Sequence, residues 1–327
     1  MSNCRMATPR ARRRAIAASV LLSCLLFAGG CKTSDDATAA ASQLTATAKS
    51  LTDYYAALDT MLSENDQVSQ IHEAVNPVAT YTAQAKATLA DTRSEIQKRE
   101  VIAKDLTALA QQFAALSGSS AATDVPASAA KLESGIEGLK LTKFKMSSPE
   151  QAAMKLALEG IVKAVQEHKE REAAQQIDKF TSALAEWFGT ESDDYNSIGR
   201  DYASATSSLA HTLLRNHQAD LSPFLKPALD PYGIAPELTD STIRTNIEGI
   251  ADKQIDQKAA ALVDSQQSAT ASMEKALKEM ADRIKTVADD KPMAMRTAPI
   301  TLTDVEKWAS QFTSATTPAS KTATDAK

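Results

Sequence analysis

The sequence predicts an all-α fold, an elongated antiparallel helical bundle of long, coiled-coil-like helices. Three observations carry that prediction. Of 327 residues only 10 are Gly and 11 are Pro, about 3% each where average usage is nearer 7% and 5%. Sandwiches, barrels and doubly wound α/β folds need a turn every dozen residues or so, and this composition cannot supply them. Ala alone occupies 60 positions, and Ala, Gln, Glu, Lys and Leu are the strongest helix formers. Aromatic residues make up only 5%, and β-branched residues rarely alternate as a strand with one buried face requires.

The first element is an export signal rather than a structural helix. Arg10, Arg12, Arg13 and Arg14 form a positive stretch without an acid, and Ala15–Ala28 is apolar through Val20, Leu21, Leu22, Leu25, Leu26 and Phe27. Charge, a short apolar run and then small residues mark a secretory signal, too short to read as a spanning helix. The run ends at Ala28-Gly29-Gly30-Cys31. That ending resembles the lipobox of bacterial lipoproteins, although Ala28 stands where Leu is commonest. Leu21-Leu22-Ser23-Cys24 is a rival box, but cleavage there would leave Leu25-Leu26-Phe27 on the mature protein.

The resemblance implies cleavage after residue 30, acylation of Cys31 and anchoring to a membrane of the cell envelope through fatty chains such as palmitate. It also implies the outer membrane, facing the periplasm, in an organism with two membranes, because Lys32 stands where an Asp would retain the protein at the inner one. Removing residues 1–30 leaves 31 Lys and Arg against 41 Asp and Glu. An acidic exported chain has no electrostatic footprint for nucleic acid. Cys4 and Cys24 leave with the signal, so neither a disulfide nor thiol chemistry is expected.

Residues 31–42 are small and polar, as a flexible tether would be. Leu44, Ala48, Leu51, Tyr55, Leu58 and Leu62 then recur at spacings of four and three, which predicts a helix over 43–74. Asn76-Pro77 breaks it. A second stripe through Leu89, Ile96, Ala103 and Ala110, with Leu106 and Phe113 beside it, predicts a helix over 78–116. Two nearly equal helices joined by a tight break suggest an antiparallel hairpin. A Ser/Ala-rich linker follows over 117–128, then a shorter helix carrying Ala129, Leu132, Ile136 and Leu139.

Ser148-Pro149-Glu150-Gln151 reads as a capping box and opens a long helical stretch over 149–217. That stretch is one helix or two, with a break near 189–194 favoured by Gly189 and the acids after it. Leu221–Leu238 is dense in Pro (Pro223, Pro227, Pro231 and Pro236) and cannot be a regular helix. The last long helix is expected over 240–289 with Asp240 as cap, and a short one with Thr303 and Glu306 presents Val305, Trp308 and Phe312. The bundle thus covers 43–315, and the tail 316–327 is expected to be disordered.

The search for chemistry finds little. His72, His168, His211 and His217 lack the Glu-x-x-His and His-Glu-x-x-His spacings of metal bundles and zinc sites. No Gly-rich loop or Gly-x-Ser-x-Gly elbow occurs outside the signal. Glu191, Asp193 and Asp194 read as a solvated acidic face, while Trp187-Phe188 and Tyr54-Tyr55 lie on stripes and read as core. No metal, cofactor or catalytic residue is expected. Two features are candidates for contact with a protein partner. They are Phe224, Leu225 and Tyr232 in the Pro-dense segment, and Trp308 with Phe312 on the short helix; each could instead fold onto the bundle. The sequence therefore predicts a non-enzymatic envelope lipoprotein serving as scaffold or adaptor. The alternative is a carrier or chaperone holding a small apolar ligand between its helices.

Overall fold

Apolar stripes as long as these are stable only when they face one another, and the computed structural model shows how they do. It describes the backbone of residues 10–117, 125–139, 148–167, 169–233, 238, 240–289 and 300–313, and side chains from Thr38 onward except 114–117, Glu170 and Thr313. Among the described residues there are eight α-helices and no strand. They are α1 (Arg10–Val75), α2 (Ala83–Ser117), α3 (Val125–Glu137), α4 (Ser148–Gln166), α5 (Glu170–Arg215), α6 (Ser222–Leu229), α7 (Ser241–Ala288) and α8 (Thr303–Thr313), with a 3-10 turn at Asp230–Tyr232. The 48 residues of α7 span about 72 Å at 1.5 Å per residue.

Polar contacts between helices fix their directions. Arg93 of α2 reaches back to Asp59 of α1, Nε to Oδ1 at 2.8 Å, and the Tyr81 hydroxyl donates to Asp66 at 2.8 Å, so α1 and α2 are antiparallel. His211 of α5 meets Asp252 of α7 while Gln266 reaches the Tyr195 carbonyl, so α5 and α7 are antiparallel as well. By contrast, α1 and α5 run in the same direction. Tyr55 meets Tyr195 at 3.1 Å, the Tyr202 hydroxyl donates to Glu64 at 2.6 Å, and His72 contacts Thr212 at 3.0 Å. Both hairpins therefore share one long axis. Helix α8 covers α1 and α7, and α3 and α4 close one side against α2 and α5.

Several boundaries differ from the sequence expectation, each for a physical reason. Residues 31–42, expected as a flexible tether, belong to α1, and Ala40 and Ala41 are already buried. Alanines favour helix and let a neighbouring helix approach closely. Helix α2 begins at Ala83 rather than 78, because the intervening loop has polar anchors of its own. Asn76 Oδ1 accepts from the Val78 N–H, and Glu73 Oε1 accepts from the Tyr81 N–H.

The stretch 149–217 is two helices, but they part at Lys169, whose φ of −103° and ψ of 79° are non-helical, and not near 189–194. Gly189, proposed as a breaker, serves packing instead, and so does Gly199. A Cβ at Gly199 would stand 1.4 Å from Gln266 Oε1, and one at Gly189 would stand 3.2 Å from Glu274 Oε1. Their cost in helix propensity is offset by the closeness of α7.

Gln151 donates Nε2 to the Ile136 carbonyl at 3.1 Å, tying α4 to α3 rather than turning back on its own helix. The Pro-dense segment does form a helix, α6, with Pro223 in its first turn and Pro227 inside. In so short a helix Pro227 forfeits only the bond that would run to the Pro223 carbonyl. Asp240 caps α7, its carboxylate accepting from the Thr242 and Ile243 N–H groups, both at 2.9 Å. The tail 316–327 lies outside the described residues.

Candidate functional site

Four places compete for the role of functional site. The first is Cys31, the expected lipid carrier. It falls within the span of α1, and its side chain lies outside the described residues.

The second is the distal tip, where α5 ends, α6 turns and α7 begins. Leu214, Leu221 and Ala251 form a small buried cluster, with Phe224, Ile247 and Ile255 packed against it. Phe224 and Leu225 are half-buried, so this part of the Pro-dense segment folds back onto the bundle. Tyr232 does not; it is 76% exposed, and Ile243 and Ile250 on α7 are 54% and 55% exposed.

Charged groups hold the tip together. Arg244 donates Nη2 to the carbonyls of His217 at 3.0 Å and Ala219 at 3.1 Å, and Nε to Glu248 Oε1 at 2.9 Å. His217 Nδ1 lies 2.9 Å from Glu248 Oε2. The backbone of His217 has φ +55°, a left-handed conformation uncommon outside Gly. Burial alone would raise the Glu248 carboxyl, but hydrogen bonds from His217 and Arg244 hold it below its ordinary range. Six residues earlier, on α5, His211 is bracketed by Asp252 at 2.5 Å and Asp256 at 3.0 Å.

The third place is α8. Trp308 and Phe312 are 1% and 6% exposed. The Trp308 ring centre is 5.2 Å from Tyr54, and that of Phe312 is 6.2 Å from Tyr202. They dock into the bundle, which withdraws them as partner contacts. Their spacing of four puts both on one face of α8, and that face is the one α1 covers.

The fourth place was not anticipated. Glu191, read as part of a solvated acidic face, has 0% exposure, and so does Arg99. The Arg99 guanidinium forks onto the Glu191 carboxylate, Nε to Oε2 at 2.9 Å and Nη2 to Oε1 at 2.6 Å. Its Nη1 donates to the Glu95 carbonyl at 2.9 Å, and Glu191 also accepts from the Tyr195 hydroxyl. The Trp187 ring lies 5.3 Å from the guanidinium carbon. Around the pair, Tyr54, Tyr55, Phe188 and Tyr195 meet with ring centres 5.1 to 6.4 Å apart. Tyr54 further shares a hydrogen bond of 2.8 Å with Thr270.

The electrostatics of this cluster are those of a clamp. Burial is the main reason that the phenols of Tyr54, Tyr55 and Tyr195 are pushed well above their ordinary value. Burial works against the charge on Arg99, but the hydrogen bonds and charge of Glu191 more than compensate, leaving it above its ordinary value. The phenols thus stay neutral and the guanidinium stays charged. A bidentate pair joins α2 to α5, and the Tyr54 and Tyr55 hydroxyls tie α1 to α7 and α5.

The sequence did carry a signal for this clamp. Arg99 lies on the apolar stripe of Ile96, Ala103 and Leu106, and Glu191 on that of Leu184, Phe188 and Ile198. One charge of opposite sign on each of two core faces marks a buried pair.

Among the described residues no three His, Cys, Asp or Glu side chains are placed to hold a metal ion. No described helix is long and apolar enough to cross a membrane. No family model, curated protein or solved structure matches this chain, so its function has to be argued from its own residues and geometry.

Proposed function

We propose that this chain is a cell-envelope lipoprotein, anchored through an acylated Cys31, whose helical body is a scaffold that presents its distal tip to a protein partner of the envelope. The observation that carries the reading is the exposure of Tyr232, Ile243 and Ile250 around the corner between α6 and α7, three of the seven large apolar side chains that stand exposed among the described residues; Ile71, Val78, Val101 and Leu156 lie elsewhere, on α1, the loop between α1 and α2, α2 and α4. Single exposed apolar residues are ordinary, whereas several gathered at one end mark a contact surface.

The placement of that end supports the reading. Because α1 and α5 are parallel, the tip stands at the end of the bundle away from the N-terminal part of α1. From Thr38 to His72, which contacts Thr212, α1 advances about 51 Å. A lipid at Cys31 would then hold the membrane at one end and free the other for a partner. Acyl chains in the plural would make that anchoring firm. The aromatic rings that fill the space between α1, α5 and α8 favour the scaffold over a carrier of an apolar ligand, since they occupy the room such a ligand would need.

Metabolic labelling with a clickable palmitate analogue, in the wild type and in Cys31→Ala, tests the anchor. Label on the wild type alone is expected, and a wild type without label would overturn it. Photo-crosslinking residues placed at 232 and 243 test the tip against position 156 on α4, where Leu156 is 66% exposed. Adducts of defined mass are expected from 232 and 243. Equal yields from all three positions would remove the tip as the partner surface.

A further inference from the structure

A cleft of about 460 Å³ opens where the first turns of α2 pass over α1 and α5, a size within the range of about 300–1,000 Å³ of small-molecule sites. Leu62 and Asn65 of α1, Thr92 of α2 and Ile198 of α5 line it and are buried, so they form its floor. Gln84 and Thr88 of α2 and Asp201 of α5 line it and are exposed, so they belong to its rim. No Lys, Arg or His lines it.

Packing does not account for Asn65. Only 8% of it is exposed, and its Oδ1 accepts from the Ser69 hydroxyl at 3.5 Å. Its Nδ2 meets no acceptor among the described residues and is not sealed from solvent. Buried amides normally have both edges satisfied, because an unmet donor is costly. Leu62, Asn65 and Ser69 fall at spacings of three and four, on the face of α1 that lines the cleft. The open N–H edge is therefore offered to whatever enters.

The order of groups selects a ligand class. A lining without a cation gives phosphates and sugar acids nothing to pair with, and the donor in the floor calls for an uncharged acceptor. Leu62, one turn before Asn65, and Ile198, on α5, call for an apolar group beside that acceptor. A carbonyl that bears a methyl group meets both demands. At the rim the Asp201 carboxylate accepts, while the Thr88 hydroxyl and the Gln84 amide both donate and accept, which suits several hydroxyls. We propose that the cleft binds a neutral acetamido sugar. Its acetamido carbonyl accepts from Asn65 Nδ2, its methyl group lies against Leu62 and Ile198, and its ring hydroxyls meet Asp201, Thr88 and Gln84. The proposal is independent of the partner reading, since the cleft lies on the shaft of the bundle and not at the tip.

Saturation-transfer NMR on the full-length chain, in micles of a detergent without a sugar headgroup, tests the proposal. The probes are N-acetylglucosamine, glucose and N-acetylalaninamide. Saturable binding of N-acetylglucosamine is expected, with the strongest transfer at its acetamido methyl group, and at least about tenfold tighter than glucose, which lacks the carbonyl. Asn65→Leu, close in shape but without the donor, should weaken it about tenfold. Asp201→Ala should weaken it about fivefold, and Asp193→Ala, an exposed acid outside the cleft, should leave it unchanged. Asp201 is at the surface, so its variant should melt with the wild type and decides the matter if Asn65→Leu does not fold. Tighter binding of N,N′-diacetylchitobiose would assign the site to a glycan chain, and equal or weaker binding to a free sugar; both support the acetamido site. Glucose binding as tightly, N-acetylalaninamide binding as tightly, affinity untouched by Asp201→Ala, or no saturable binding in the wild type would each overturn it.

Discussion

The shaft of the bundle and its tip are made from the same two helices, α5 and α7, and differ in what holds them. In the shaft, α5 contributes Phe188, Tyr195 and Ile198 to one continuous core, with Glu191 buried beside them and α1 and α2 packed over it. Beyond Ala203 the same helix keeps only Leu214 in a small cluster with Leu221 and Ala251. There the helices are joined by His211 with Asp252 and Asp256, and by His217 and Arg244 with Glu248. The shaft has turned its charges inward and satisfied them, while the tip uses charges at the surface and leaves Tyr232, Ile243 and Ile250 outside. The lesson concerns where function can sit. A region whose polar groups are committed to each other offers nothing to a partner, and a region stabilised by a few exposed ion pairs keeps apolar surface to spare and opens more readily.

The largest effect that would sharpen this contrast comes from the shaft. Arg99→Met leaves the Glu191 carboxylate buried without its cation, and breaking such a pair typically costs about 3–5 kcal/mol. Replacing both partners, Arg99→Met with Glu191→Leu, removes the stranded charge and should recover most of that loss. Urea or thermal denaturation of the two variants checks this. A single variant as stable as the wild type would mean that water reaches the pair and that the shaft is not the closed region described.

Acidification should move the two regions in opposite directions. Glu248 at the tip titrates below its ordinary value of 4.5 in the fold. Its contribution is complete above that value and lost as the pH falls through the lower one. In the shaft, burial outweighs nearby lysines and raises the carboxyls of Asp105 and Asp178 above their ordinary 3.8. The folded state therefore takes up those protons first, and its stability rises as the pH falls through their values. Between about pH 5 and pH 3, hydrogen exchange corrected for intrinsic rate should show protection over 213–251 falling relative to 173–198. Parallel changes in the two segments would mean that the tip and shaft open as one unit.

Much of this was legible in the residues, and the rest was not for identifiable reasons. Scarce Gly and Pro with abundant Ala led to the all-α class, because helix propensity and the lack of turns act locally. The stripe positions Leu51, Tyr55, Leu58, Leu184 and Phe188 are core for the same reason. Gly189 misled, since it answers to Glu274, a residue 85 positions away that no local rule brings near. The break at Lys169 sits in a charged run that reads equally well as solvated helix. Glu191 was misread with its acidic neighbours, because a run of acids looks solvated until the partner cation on α2 is placed opposite. At the tip the prolines misled as well: they argue against a regular helix, whereas a helix of eight residues accommodates Pro223 and Pro227, buries Phe224 by half and leads into the turn that projects Tyr232.

The smallest expected effect is the one that separates stability from function. Tyr232 ends a 3-10 turn and is followed by Gly233 at φ +65°, a conformation that Gly adopts without strain. The turn therefore owes its shape to Pro231 and Gly233 rather than to the ring between them. With 76% of Tyr232 exposed, folding removes little of the ring from water, so Tyr232→Ala should change unfolding free energy by no more than about 0.5 kcal/mol. If the ring serves a partner, the same substitution should sharply lower the yield of adducts formed from a photo-crosslinking residue at 243, in the first turn of α7. A loss of more than about 1 kcal/mol would instead show the ring packed on the bundle in solution. The tip would then be another piece of core, and the division between shaft and tip would no longer separate what folds the chain from what it offers outward.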